Sequence, residues 1–142
     1  MPKRKSNATW EGGLKGGKGR MTIGKTGYDG PYSFASRFEE GQGTNPEELI
    51  AAAHAGCYSM ALSADLEGAG HKPNSVSTVA TVSVEPDGDG FSITRIHLET
   101  TADVPGIQPD EFARIAGAAK EGCPVSKALS AVPIELEARL KS

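Results

Sequence analysis

From Asn45 to Glu67 the chain carries a helix whose start is spelled out residue by residue, and no other segment constrains the fold as strongly. Asn45 is a good N-cap, because its side-chain oxygen accepts an otherwise orphaned N–H of the first turn. Pro46 falls at N1, where a missing N–H costs nothing. Glu48 at N3 completes a capping-box-like pair, and with Glu47 it favours the positive end of the helix dipole. From Leu49 to Ala64 no residue is formally charged, and apolar or small side chains lie on every face. Such a helix is expected to be buried nearly all round. His54, Ser59 and Ser63 interrupt the run, which is too short to cross a bilayer. Cys57 stands in its middle.

A chain of 142 residues is expected to form a single domain, 1–142, with a real core. Hydrophobic residues make up 37% and aromatics only 6%, so that core is built mainly from Ala, Val, Ile and Leu. The net charge is −3, and basic residues cluster only near the N-terminus, which argues against a nucleic-acid surface. Lys3, Arg4 and Lys5 are followed by no apolar stretch, so the start does not read as a signal peptide. Two cysteines far apart, without an export signal, suit a cytoplasm where thiols stay reduced.

Residues 1–7 read as a loose terminus. Short strands are expected at Ala8–Trp10, Arg20–Ile23 and Tyr32–Ala35, separated by a glycine-rich loop from Glu11 to Gly19 and a turn from Thr26 to Pro31. That loop lacks the Lys-Ser/Thr ending of a P-loop. Gly68 or Gly70 is suited to end the long helix. Val76 to Val84 alternates, with Val76, Ala80, Val82 and Val84 on one face and Val79 on the other. Pro86 to Gly90 marks a hairpin. On the return strand, Phe91 to Thr101, the apolar phase slips by one at Ile96 and Leu98, which predicts a bulge near Arg95. Pro109 opens a second helix with Phe112, Ile115, Ala116 and Ala119 as its buried stripe. Gly122 ends it, Cys123 and Pro124 start a short third helix, and Val132 to Leu140 alternates as a final strand. The order β-β-β-α-β-β-α-α-β is an α+β pattern with antiparallel hairpins.

The residues alone leave the cysteines open. Cys57 suits an inert core position, and Cys123 an N-cap whose free N–H groups favour a thiolate. His54 and Cys57 share a helix face, so with Cys123 they also present an incomplete zinc set.

The run Gly43-Thr44-Asn45-Pro46-Glu47-Glu48-Leu49-Ile50, continuing through Ala51-Ala52-Ala53-His54-Ala55-Gly56-Cys57 to Leu62, resembles the central motif of the OsmC/Ohr family, the osmotically induced and organic-hydroperoxide-resistance proteins. The second family motif is present as Gly122-Cys123-Pro124-Val125-Ser126-Lys127. Trp10-Glu11-Gly12 and the Pro86 to Gly90 hairpin extend the resemblance along nearly the whole chain. Ser36-Arg37-Phe38-Glu39 and His54 resemble the OsmC branch. The resemblance implies an OsmC-like fold, an intertwined homodimer with long central helices wrapped by antiparallel sheets. It implies a thiol peroxidase without cofactor or metal that reduces organic hydroperoxides and, less well, hydrogen peroxide. It also implies Cys57 as the peroxidatic cysteine, Cys123 as the resolving one, and Arg37 and Glu47 as the assisting pair, with Arg20 as another candidate for the arginine. An external thiol or dithiol would regenerate the enzyme, and neither nucleic acid nor membrane is a partner. The guanidinium is expected to lower the Cys57 pKa, making Cys57 the faster thiol to alkylate. The competing readings are a dimeric small-ligand-binding or redox-sensing module without turnover and a zinc-binding structural protein.

Quaternary structure follows from the helix itself. Pro46 to Glu67 spans about 33 Å at 1.5 Å per residue, against a radius of gyration of about 14 Å for a monomer of this length. A second chain laid against the helix would cover its apolar faces. Glu47 and Cys57 are ten residues apart, a rise of about 15 Å, too far for one guanidinium to touch both. Two composite sites per dimer are therefore expected, Cys57 and Cys123 from one subunit and Glu47 with its arginine from the other. Sedimentation velocity at micromolar concentration should show a dimer, and a stable folded monomer would refute this reading.

Overall fold

The computed structural model describes residues 2–25 and 27–141. Met1 of the expected loose terminus and Thr26 of the expected turn lie outside them. The chain divides into two compact units, Met1–Leu49 and Ile50–Ser142.

In the first unit, β1 (Ser6–Glu11), β2 (Lys18–Ile23) and β3 (Asp29–Tyr32) form an antiparallel sheet in that order. Pairing of Ser6 with Ile23 draws Ser6 and Asn7 into the strand, so the ladder starts earlier than the sequence suggests. Trp10 and Tyr32 meet with ring centroids 5.3 Å apart. Gly19 lies between them, and a Cβ there would fall 2.5 Å from Tyr32 and 2.6 Å from Trp10.

The expected third strand, Tyr32–Ala35, is corrected. Extended pairing stops at Tyr32, and Phe34–Phe38 is a short helix, α1. Ser33 caps it: the Ser36 N–H donates to Ser33 Oγ (3.1 Å) and the Ser33 N–H to Ser36 Oγ (2.8 Å). The two serines complete a capping box without the Glu or Gln that makes such a box visible in sequence.

The long helix α2 runs Pro46–Gly68. Its cap forms as expected, with the Glu48 N–H donating to Asn45 Oδ1 (2.8 Å), while the Glu48 carboxylate accepts from Thr44 Oγ1 (3.1 Å). Gly70, at φ 91°, supplies the left-handed residue just beyond its end.

In the second unit, β4 (Ser75–Asp87) and β5 (Gly90–Asp103) form the expected hairpin. Ser83 pairs with Arg95 and Val84 with Ile93, which leaves Thr94 as the extra residue of a bulge. That slip brings Ile96, Leu98, Thr100 and Ala102 to the buried face. On β4 the partly buried face carries Val76, Thr78, Ala80 and Val82, while Val79 is exposed. Thr78 is tolerated inside because Ser59 Oγ donates to its Oγ1 (2.8 Å) and Thr100 Oγ1 bonds it at 2.9 Å.

After α3 (Pro109–Gly122) and α4 (Pro124–Ala128), β6 (Ile134–Leu140) pairs with β5 in parallel, Ile134 beside Ile96. The expectation of antiparallel sheets holds for the other pairings and is corrected for this one strand. A helical crossover returns the chain to the end of the sheet from which β5 set out, and a strand that follows such a crossover is parallel.

One apolar cluster holds this unit together. It contains Tyr58, Leu62 and Leu66 of α2, Ile96, Leu98 and Ala102 of β5, and Phe112, Ile115, Ala116 and Ala119 of α3. His54, Tyr58, Leu62 and Leu66 recur every fourth residue and form the wholly buried stripe of α2. Within one chain Ala52, Ala53, Gly56, Met60 and Ala64 form an open face, and Met60 is 77% exposed. Leu98→Ala is expected to destabilise the fold by about 2–5 kcal/mol in urea unfolding. Val79→Ala should stay within about 0.5 kcal/mol of the parent.

Candidate active site

The first unit supplies a charged pair. The capped helix α1 presents Arg37, whose Nε donates to Glu47 Oε1 (3.0 Å) and whose Nη2 donates to Oε2 (2.9 Å). Two parallel bonds fix the guanidinium plane. The Glu47 side chain is only 8% exposed and that of Arg37 38% exposed, so the carboxylate is the buried member and the guanidinium keeps a free edge. Arg37 thus pairs with Glu47, not with its sequence neighbours Glu39 and Glu40. Arg20 lies elsewhere, on the open face of β2, 3.6 Å from Asp29. A cleft of about 240 Å³ opens beside Arg37, lined by Trp10, Leu14, Tyr32, Phe34 and Phe38.

The second unit supplies two thiols. Cys57 projects from the middle of α2, and Cys123 stands where α3 ends and α4 begins. Their sulfurs are 2.9 Å apart and share a hydrogen bond. Both thiols are free, since a disulfide needs a separation of about 2.05 Å. Cys123 is wholly buried and Cys57 only partly.

The local effects on the two thiols oppose the expectation that Cys57 is the more acidic. Burial, the largest effect, pushes Cys57 up, and the hydrogen bond with Cys123 adds to it. None of these effects on Cys57 comes from a cation. Burial alone would raise Cys123 too, but its hydrogen bond with Cys57 and the groups of Ser126 and Val125 outweigh it and hold Cys123 below the usual thiol range. No capping bond from α4 closes fully on the sulfur, so Val125 and Ser126 act as nearby dipoles. Tyr58 beside the pair is pushed up, first by burial and then by the charge on Cys123. Its hydroxyl donates to Ala116 O at 2.9 Å.

His54 does not join the sulfurs as a zinc ligand. Its Nε2 lies 2.7 Å from Ser126 Oγ. Among the described residues, the three metal-type ligands that converge are His97, Glu99 and Glu137 on the second sheet. Ser126 was not visible as a site residue in sequence. The aromatic wall beside Arg37 was missed too, since Tyr32 and Phe34 read as strand residues.

A family model described as OsmC-like protein matches residues 39–137. The chain is 49% identical to the peroxiredoxin OsmC of Escherichia coli (strain K12) over 141 residues, covering 98% of this chain and 97% of that protein. The organic hydroperoxide resistance protein OhrB of Bacillus subtilis has a similar structure, with a TM-score of 0.67 and 25% identity, covering 96% of this chain and 98% of that one. An OsmC-like protein of Mycoplasma pneumoniae superposes with a TM-score of 0.76 over 99% of both chains at 15% identity, a likeness of fold.

Mild oxidation of the native protein should join Cys57 to Cys123 within one chain. Mass spectrometry should find the loss of two hydrogens and a single disulfide-linked peptide pair. Cross-linked chains on a non-reducing gel would contradict the geometry.

Proposed function

The chain belongs to the OsmC-like family, and we propose that it is a thiol peroxidase that reduces organic hydroperoxides and, less well, hydrogen peroxide. Cys57 is the attacking sulfur and Cys123 the resolving one. The observation that carries this reading is the pair itself: two free sulfurs 2.9 Å apart, one reachable and one wholly buried. A thiol that must meet a substrate needs access, whereas one that only closes a disulfide does not.

The reaction runs in two displacements. The Cys57 thiol gives up its proton to solvent, and the thiolate attacks the terminal peroxide oxygen, so that an S–O bond forms as the O–O bond breaks. The departing alkoxide is protonated by solvent and leaves as an alcohol. The Cys123 thiol then gives up its proton, and its sulfur attacks the sulfur of the Cys57 sulfenic acid. The S–S bond forms, the S–O bond breaks, and the hydroxide is protonated by solvent to water. An external thiol or dithiol then supplies two electrons to restore both thiols.

Arg37 is the cation for the first step. A guanidinium stabilises both the attacking thiolate and the charge growing on the leaving oxygen, and it never deprotonates. Glu47 holds its plane. The aromatic cleft beside Arg37 supports the preference for organic peroxides, because it offers apolar surface next to the charge.

The open apolar face of α2 supports a homodimer built on this helix. In such a dimer Arg37 and Glu47 of one copy serve the thiols of the other. We place the enzyme in the cytoplasm, where free thiols and a dithiol reductant coexist. No helix among the described residues is long and apolar enough to cross a membrane.

Peroxide consumption with a dithiol reductant tests the reading. Cys57→Ser should lower turnover at least about 100-fold. A parent protein that consumes no peroxide would leave a redox-sensing or ligand-binding module, and turnover left intact in Cys57→Ser would remove that sulfur from the mechanism. Mixing inactive Cys57→Ser chains with inactive Glu47→Ala chains should restore about one working site per heterodimer. Properly formed heterodimers without activity would sink the composite arrangement.

A further inference from the structure

The thiol pair is not the only link between its two helices. One turn before Cys57, His54 leaves α2, and one turn after Cys123, Ser126 leaves α4. His54 Nε2 and Ser126 Oγ lie 2.7 Å apart. His54 is wholly buried and Ser126 only 5% exposed. The two helices are therefore joined twice, by the polar bond and by the sulfurs, at offsets of three residues along each chain. Among the described residues His54 Nδ1 is buried without a hydrogen-bond partner.

The orphaned nitrogen fixes the polarity of the bond. If Nε2 accepted from Ser126, the ring proton would sit on Nδ1 as a buried donor without a partner, the rarer and costlier arrangement. Nε2–H therefore donates to Ser126 Oγ, and Nδ1 keeps its lone pair. Burial lowers the His54 pKa, so the ring stays neutral in this role. The serine proton is then free to turn toward Cys123, and Ser126 is among the donors that favour charge on that sulfur. A polar pair with an unsatisfied atom is a poor way to hold two helices together, since apolar side chains of like shape do so at no such cost. Its presence beside the thiol pair points to a function.

We propose that His54 and Ser126 are positioning residues for the resolving step: their buried bond clamps the helix of Cys57 to the helix of Cys123, so that the disulfide closes before a second peroxide oxidises the sulfenic acid. This rests on the two-cysteine reading above. Neither residue touches substrate. Each acts through the placement of a sulfur.

The experiment is a single-turnover oxidation with cumene hydroperoxide. Cys57 is followed by mass spectrometry as sulfenic acid, sulfinic acid and disulfide. Ser126→Ala and the double variant His54→Leu/Ser126→Ala should close the disulfide about tenfold more slowly, the scale of one lost hydrogen bond. The trapped sulfenic acid should then run on to sulfinic acid at peroxide levels where the parent gives only disulfide. His54→Gln, which can still donate to Ser126, and Ser126→Thr should recover most of the rate. The apolar double variant also separates function from folding: urea unfolding should leave its stability near or above the parent's. Disulfide closure at the parent rate in both Ser126→Ala and the folded double variant would overturn the proposal. Absence of any disulfide in the oxidised parent would overturn the two-cysteine reading beneath it.

Discussion

Two sulfurs can form a bond only if the fold has already brought them into contact, and in the second unit that contact depends on a few helix positions. Cys57 is one residue before Tyr58, which belongs to the buried stripe of α2. Cys123 is four residues beyond Ala119, which belongs to the buried stripe of α3. Both stripes enter one apolar cluster with β5. Cys123 therefore sits in the core and Cys57 packs against it, each placed by a neighbour that cannot move without opening a cavity. The break between α3 and α4 completes the arrangement. Pro124 cannot continue a helix with normal bonding, so the chain turns at Cys123 and points its sulfur back at α2.

The polar groups near this core are few and mostly paired. Tyr58 finds Ala116 O, Thr78 finds Ser59 and Thr100, and His54 finds Ser126. Each bond joins elements distant in sequence, so each fixes a register as well as satisfying an atom. In the first unit the bidentate Arg37–Glu47 pair has a comparable effect. It ties α1 to the first turn of α2 through a carboxylate almost wholly withdrawn from water.

Sequence reasoning read the elements whose signals are local. The Asn45 cap, the Thr94 bulge behind the phase slip near Arg95, the buried stripe of α3 and the hairpin at Gly88 all announce themselves within a few residues. Helix α1 was missed because its capping box uses two serines. The parallel pairing of β6 was missed because direction depends on the path of α3 and α4, which periodicity does not carry. The thiol pair was implied by the family motifs, but the partner of His54 was not, since 72 residues separate it from Ser126. The uniform look of α2 carries less information within one chain: small residues on every face permit burial without saying which face the same chain covers.

The separation of the thiols along the chain gives their chemistry a mechanical side. Cys57 and Cys123 are 66 residues apart, so the proposed disulfide would tie off nearly half the chain as a single loop. In the chain-entropy picture such a closure removes about 4 kcal/mol of freedom from the unfolded ensemble. The oxidised protein would then be the harder of the two forms to unravel. Linkage runs in both directions, and the native packing that holds the sulfurs together resists reduction by the same amount. An enzyme built this way stores part of its folding free energy in its spent state, and its reductant must work against the fold to restore it.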